Sequence, residues 1–271
     1  MAHISDLHLG AEEPAVVAGL LADLSAQAPD LVVVSGDLTM RARQRQFEAA
    51  RQVLDGLGAP WVSVPGNHDL PLDRIVTRML RPLAGYRRHI DPEPEPRRLH
   101  GGVLVLGISS SRRYFWKGGR IDRRQVARIG RAFAEAAPVR LRVLVLHHPV
   151  FAVAPRSREK PARGTARALR AAAEAGVDVV LCGHTHVQGH ADLSRPGPGR
   201  HLLGVMAGST TSYRVGPAES QSYNVLDLAD DDRLTLEVRH WRDGSFTPLL
   251  SRTFRRSADG FRCQPDEPGR L

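Results

Sequence analysis

Apolar runs in this chain stop, again and again, at short clusters of aspartate, asparagine and histidine. Five such clusters occur in order: Asp6-Leu7-His8, Gly36-Asp37, Gly66-Asn67-His68-Asp69, His147-His148-Pro149 and Gly183-His184-Thr185-His186. Each directly follows an apolar run, which puts its polar side chains in a loop after a strand. Open α/β sheets gather their ligands beyond the carboxyl ends of their strands. Any one cluster is common by chance, but the ordered set is not. Asp6, His8, Asp37, Asn67, His147, His184 and His186 supply mixed oxygen and imidazole donors, the set expected of a site for two metal ions.

The intervening segments support an alternating α/β pattern. Val16, Val17, Leu20, Leu21 and Leu24 recur at helical spacing, and residues 31–34 then form a buried strand. Phe47, Ala50, Val53, Leu54 and Leu57 mark a second amphipathic helix before the strand at 61–64. Further apolar runs at 103–108, 143–146 and 177–182 alternate with helical segments near 123–136 and 166–175, the first opened by an Asp122/Gln125 cap. Continuous Val/Leu runs read as strands covered on both faces. From about Leu202 the strands follow one another without helices, which suggests a second sheet packed on the first. Residues 81–102, 151–164 and 191–200, rich in Pro, Gly or Arg, are expected as surface loops, the second as a lid beside the site. One domain over residues 1–256 is expected, with 257–271 as a flexible tail. The strand ending at Asp6 has room for only about four residues against a usual 5–6, which points to a true start upstream.

The formal charge of +9 comes almost wholly from arginine, since only Lys117 and Lys160 are lysines among 38 basic residues. It favours anionic substrates over cationic ones. Two cysteines, Cys182 and Cys263, form no disulfide framework and fit a reducing, cytoplasmic compartment. Met1-Ala2-His3-Ile4-Ser5-Asp6 has no secretory signature, and no apolar run reaches membrane-spanning length. His3, His89, His100, His190, His201 and His240 match none of the clusters and are read as structural or exposed.

Together the five clusters resemble the calcineurin-like metallophosphoesterase superfamily, over roughly residues 2 to 210. The nearest likeness is to its bacterial cyclic-nucleotide phosphodiesterases, through Ile4-Ser5-Asp6-Leu7-His8, Gly36-Asp37-Leu38-Thr39, Asn67-His68-Asp69, His147-His148-Pro149 and Gly183-His184-Thr185-His186. The resemblance implies a four-layer-type α/β sandwich: two packed mixed β-sheets flanked by helices, with the metals in loops at the strand ends. It implies that Asp6, His8 and His186 join Asp37 around one divalent ion, and Asn67, His147 and His184 join it around the other. Asp37 then bridges ions about 3.5–4 Å apart, and a hydroxide between them attacks phosphorus. Manganese is the favoured metal, with iron, zinc or nickel as alternatives. His68 is implied to face the scissile phosphate, and Asp69 to orient its imidazole by a hydrogen bond.

The expected substrate is a small anionic phosphate ester, foremost a diester of a small, possibly cyclic, nucleotide. A nucleotide-linked sugar or lipid pyrophosphatase ranks below it, because no long amphipathic insertion is present, and a phosphomonoesterase uses the same metals. A repair-type nuclease would need capping regions that are not visible, so nucleic acid ranks lower as a partner. A non-catalytic metal-binding scaffold need not keep every ligand. Arg41, Arg43, the basic run Arg112 to Arg120 with Tyr114, Phe115 and Trp116, and Arg214 are candidate phosphate or base contacts. Oligomeric state is not legible, since no exposed apolar stripe stands out.

Overall fold

The computed structural model describes residues 1–152, 160–193, 200–216 and 219–264. The chain begins with β1 (Ala2–Ile4), α1 (Pro14–Gln27), β2 (Val32–Val34), α2 (Gln44–Asp55) and β3 (Trp61–Ser63). These strands run parallel, with β1 beside β2 and β2 beside β3. A proline in its first turn starts α1, and Ala28 in the left-handed region ends it. Two short helices, α3 (Ile75–Leu80) and α4 (Ala84–His89), lead to β4 (Arg97–His100) and β5 (Val103–Ile108). Residues 81–102 are thus partly helix and edge strand rather than loop throughout.

Then come α5 (Arg123–Ala134), β6 (Leu141–Leu146), α6 (Thr165–Glu174), β7 (Val179–Cys182), β8 (Gly189–Asp192) and β9 (Leu203–Met206). Asp122 caps α5 as expected: its side chain accepts from the backbone of Arg124 and Gln125, and the Gln125 side chain accepts from the Asp122 amide. The last strands are β10 (Ser222–Leu228), β11 (Arg233–Arg242), β12 (Ser245–Ser257) and β13 (Gly260–Cys263).

Two mixed sheets result, ordered β13-β12-β11-β10-β1-β2-β3 and β4-β5-β6-β7-β9-β8. The strands after Leu202 therefore do not build the second sheet. Only β9 joins it, while β10 pairs antiparallel with β1 and carries β11 to β13 into the first sheet. Alternation along a strand reveals its faces, not its neighbour, so the sequence pattern does not name the sheet that a late strand joins. Nor does a tail begin at 257: β13 pairs back on β12 through Cys263, and only 265–271 lie outside the described residues. Residues 153–159 of the expected lid and 194–199 of the third expected loop also lie outside them.

Three apolar clusters fill the space between four layers. Val33, Val62 and Val64 of the first sheet meet Val143, Val145, Val179 and Leu181 of the second. Their neighbours point the other way: Val32 and Val34 pack under Leu20, Leu24 and Phe47 of the helices, and Leu144 and Leu146 pack under Ile129, Phe133 and Ala172. The period of two inside each apolar run thus buries both faces of both sheets. Asp23 of α1 is fixed to the far strands by Arg239, which donates to its carboxylate at 2.7 and 2.8 Å, and by the Tyr223 hydroxyl. Among the described residues no helix is long and apolar enough to cross a membrane.

Candidate metal centre

The parallel strands β1, β2, β3, β6 and β7 end on one side of the sandwich, and the five clusters are the loops that leave them. The backbone there is bent sharply. Among the described residues nine non-glycines have positive φ, and five of them are Asp6, His8, Asp37, His184 and His186. Left-handed backbone costs about 1–2 kcal/mol per ordinary residue, so it persists only where surrounding bonds hold it. They do here: the Asp6 amide donates to the Gly36 carbonyl at 3.0 Å and the His8 amide to that of Asp37 at 2.9 Å. The His184 amide donates to Asp6 Oδ2 at 2.8 Å and the His68 amide to Asp37 Oδ1 at 2.8 Å. Two glycines permit the approach. A Cβ at Gly66 would lie 2.0 Å from Asp37 Oδ1, and one at Gly183 would lie 1.9 Å from Ser5 Oγ.

The tautomers follow from what each ring touches. His147 Nδ1 lies 2.8 Å from the Ser35 carbonyl and His186 Nδ1 lies 2.6 Å from that of Arg214. A carbonyl only accepts, so Nδ1 carries a proton in both rings, and whenever a ring is neutral its Nε2 keeps the lone pair. His147 Nε2 then faces Asn67 Oδ1 at 3.1 Å, His184 Nδ1 at 3.2 Å and Asp37 Oδ2 at 3.3 Å. His186 Nε2 faces His8 Nε2 at 3.0 Å and Asp6 Oδ1 at 3.3 Å. Asp37 Oδ2 is also 3.8 Å from His8 Nε2, so it stands between the two groups. Nitrogen and oxygen atoms thus converge on two points. Their separations match the roughly 3–3.4 Å edges of a coordination polyhedron with bonds of about 2.1 Å. The donor set fits two cations.

Electrostatics agree with that fit. Burial alone would raise Asp37, but His147, His68 and His8 hold it well below the usual carboxylate range. For Asp6, burial is likewise outweighed by His186 and His8. His147, although burial works to lower it, is raised to about 9 by Asp37 and Asp6. His184 is driven down to about 4, first by burial and then by His147. Cys182, next to the last cluster, is buried and its thiol is pushed up to about 12, an inert packing group.

The seven sequence-derived donors are therefore brought together, and His68 stands at their edge. Its Nδ1 donates to the Met40 carbonyl at 2.7 Å, which turns Nε2 away from the loop. Its ring meets that of His8 edge-on, with centroids 4.8 Å apart. Asp69 does not orient it. The Asp69 carboxylate points back into the fold, where it accepts from the amides of Gly66, Leu38 and Thr39 and from the Thr39 hydroxyl. It ties the third cluster to the loop of Asp37, and burial with the nearby Asp37 charge raises it to about 6. Of the adjacent histidines, His147 faces the shared point, while His148 Nδ1 lies 2.8 Å from Ser110 Oγ.

The arginines divide. Arg214 lies at the rim, its Nη1 3.5 Å from Met40 Sδ and its charge felt by His68. Arg43 pairs with Asp73, and Arg112 is tied to Ser109, Ser111, Asp122 and Gln125. Arg41 is exposed. Three features escaped sequence reasoning. Ser5 Oγ donates to Asp6 Oδ2 at 2.6 Å, and the Ser209 and Thr211 hydroxyls donate to the Asp6 and Leu7 carbonyls at 2.8 Å. Buried Arg78 donates to the carbonyls of Leu70, Pro71, Arg113 and Phe115. Serines, threonines and arginines are too common for such roles to show in sequence.

A family model described as calcineurin-like phosphoesterase matches residues 1–188. Over 80 residues the chain is 36% identical to the glycerophosphodiester phosphodiesterase GpdQ of Enterobacter lignolyticus, covering 26% of this chain and 29% of that protein. Over another 80-residue alignment it is 32% identical to a probable cyclic nucleotide phosphodiesterase of Synechococcus sp., covering 26% and 31%. The chain thus matches less than a third of the length of either relative. Among solved structures, purple acid phosphatase PPD1 from yellow lupin (Lupinus luteus) seeds superposes with a TM-score of 0.71 at 13% identity, over 92% of this chain and 52% of that one. A dimetal phosphatase from Danio rerio gives 0.60 at 13% identity, over 92% and 98%. At such identities the likeness is one of fold: two mixed sheets flanked by helices.

Proposed function

The chain belongs to the calcineurin-like phosphoesterase family, and from that premise we propose that it is a hydrolase of phosphate esters, foremost a phosphodiesterase on a small nucleotide, cyclic ones included. The observation that carries this reading is the pair of donor groups sharing Asp37, with the His68 ring beside them. In it, Asp6, His8 and His186 hold one divalent ion with Asp37, and Asn67, His147 and His184 hold the second. When bound, two such ions supply positive charge for the phosphoryl oxygens and make water acidic enough to act at neutral pH. Mixed oxygen and imidazole donors suit manganese, iron, zinc or nickel better than calcium, and manganese is the metal chosen for assay.

The chain's own groups do the rest. Met40 fixes the His68 ring through Nδ1, so a proton passes from Nε2 to the leaving oxygen only when the ring is an imidazolium, a form that burial disfavours and the Asp37 charge favours. Asp69 keeps the loops of Asp37 and Asn67 at a fixed separation. Arg214, at the rim beside His68, is the arginine best situated to neutralise a phosphoryl oxygen. A diester on a nucleotide is supported by the phosphodiesterases among the relatives, each matched over a short stretch. Cys182 and Cys263, both free thiols, are compatible with a reducing cytoplasm as the place of work.

The test is the initial rate with manganese on a chromogenic bis-ester and mono-ester, alongside 3′,5′- and 2′,3′-cyclic nucleotides. Wild-type turnover of the diesters is expected. Asn67→Ala is expected to lose it together with one metal, and His68→Asn to lose about 10²–10⁴-fold in rate with both metals retained. Metal content without turnover on any of these esters would overturn the reading in favour of a nucleotide-linked pyrophosphatase or a scaffold.

A further inference from the structure

The sequence shows no exposed apolar stripe, yet folding assembles one from two separate segments. In α3, Ile75, Val76 and Leu80 are 60%, 73% and 74% exposed, and in the loop before α5, Tyr114 and Trp116 are 68% and 50% exposed. Arg78 joins the two segments. From the buried side of α3 its guanidinium donates to the carbonyls of Arg113 and Phe115 at 2.9 and 2.7 Å and lies 4.7 Å from the centre of the Trp116 ring. In return Arg113 donates to the Met79 carbonyl at 2.6 Å. The five apolar side chains therefore belong to one surface, held from beneath by a buried arginine.

That surface is also strongly basic. Arg74, Arg81, Arg113 and Lys117 are exposed around it, and none of the four forms an ion pair among the described residues. Asp73, next to Arg74 in the chain, is already paired with Arg43 at 3.1 Å. A second copy of the chain meeting this face about a two-fold axis would bring eight like charges together, which is unfavourable. An anionic lipid surface reverses that sign: it attracts each Lys or Arg within a Debye length and accepts aliphatic side chains and the amphipathic rings of Tyr and Trp at the headgroup level. We propose that α3 and the 113–117 loop form a docking face for an anionic lipid bilayer.

The face adjoins the centre described above without using its residues. Leu70 and Pro71, whose carbonyls Arg78 also holds, follow Asp69 directly, and Gly119 at the end of the loop packs against the His148 ring. A docked molecule therefore works at a lipid surface rather than far from it, whichever ester it cleaves.

The test is co-sedimentation of the full chain with vesicles of phosphatidylcholine alone and of phosphatidylcholine with about a quarter phosphatidylglycerol, in low and high salt. Wild type is expected to bind the anionic vesicles, at least tenfold more weakly the neutral ones, and to be released by salt. Val76→Asp/Leu80→Asp is expected to lose at least tenfold in binding while keeping its thermal melt and its turnover of soluble esters. Should that variant not fold, Arg81→Glu/Lys117→Glu provides the same readout through charge. The proposal is overturned if wild type ignores anionic vesicles, if a folded variant binds as well as wild type, or if light scattering shows a dimer that either variant dissolves.

Discussion

Gly183 leaves no room for a side chain, and that single absence lets the last histidine cluster reach the first aspartate. A Cβ there would lie 1.9 Å from Ser5 Oγ and 2.6 Å from Asp6 Oδ2. Gly183→Ala is therefore expected to displace Asp6, to destabilise the fold by about 1–3 kcal/mol and to lower metal content, as read by denaturant melts and elemental analysis. An unchanged metal content would mean that Asp6 is not held by this contact. At this scale the sequence reveals who is at the site better than what each does. The donors are visible because Asp, Asn and His clusters after apolar runs have few other uses. The work of Asp69 is not, because a carboxylate beside a histidine reads as its partner, and only the folded chain turns it toward the backbone of Gly66, Leu38 and Thr39. The Ser209 and Thr211 hydroxyls were equally silent, since they act on carbonyls about 200 residues away.

Between elements, the buried guanidinium of Arg78 joins α3 to the loop before α5 without any carboxylate. Four carbonyls satisfy it, and burial lowers its pKa. Replacing it removes donors from the buried Leu70 and Pro71 carbonyls and from the part-buried ones of Arg113 and Phe115, a buried loss costing about 1–3 kcal/mol when nothing else compensates. Arg78→Met is expected to cost roughly 2–4 kcal/mol in denaturant melts and to speed amide exchange in the 112–118 loop more than in β6. Equal exchange in both would show that the arginine does not restrain the loop. Helices α1, α2 and α5 were legible from their spacing and, for α5, its Asp122 cap. In contrast, α4 and β4 hide in a stretch punctuated by Pro92, Pro94 and Pro96, whose turn signal masks the elements on either side. The sheet assignment of the late strands failed for a different reason: periodicity carries no address for a strand's neighbour.

For the molecule as a whole, acid sensitivity is built into β1. His3 is fully buried, between Ser35 Oγ at 2.9 Å and the Asn224 side chain at 3.3 Å, and burial, opposed by Asp6, lowers it to about 3. An unfolded histidine protonates near pH 6.5. Between those values the unfolded chain binds the extra proton, so this contribution to stability is complete above about 6.5 and falls as pH drops toward 3. The slope approaches about 1.4 kcal/mol per pH unit. Urea melts at pH 6.5 and pH 5 are expected to show wild type losing up to about 2 kcal/mol more than His3→Gln, and equal losses would mean that His3 is accessible to protons in the native state.

The same strand sets a schedule for synthesis. β1 is made before both of its neighbours and lies between β2 and β10, pairing Ala2 with Val32 on one side and with Val225 on the other. At about 5–20 residues per second, roughly 10–40 s separate the emergence of the two partners. During most of that interval Asp6 and His8 hang from an edge unpaired on the β10 side, and the Ser209 and Thr211 hydroxyls that donate to the Asp6 and Leu7 carbonyls are not yet made. A nascent chain stalled before β10 would carry all seven candidate donors while β1, which leads into the first two, still lacks one of its two neighbours.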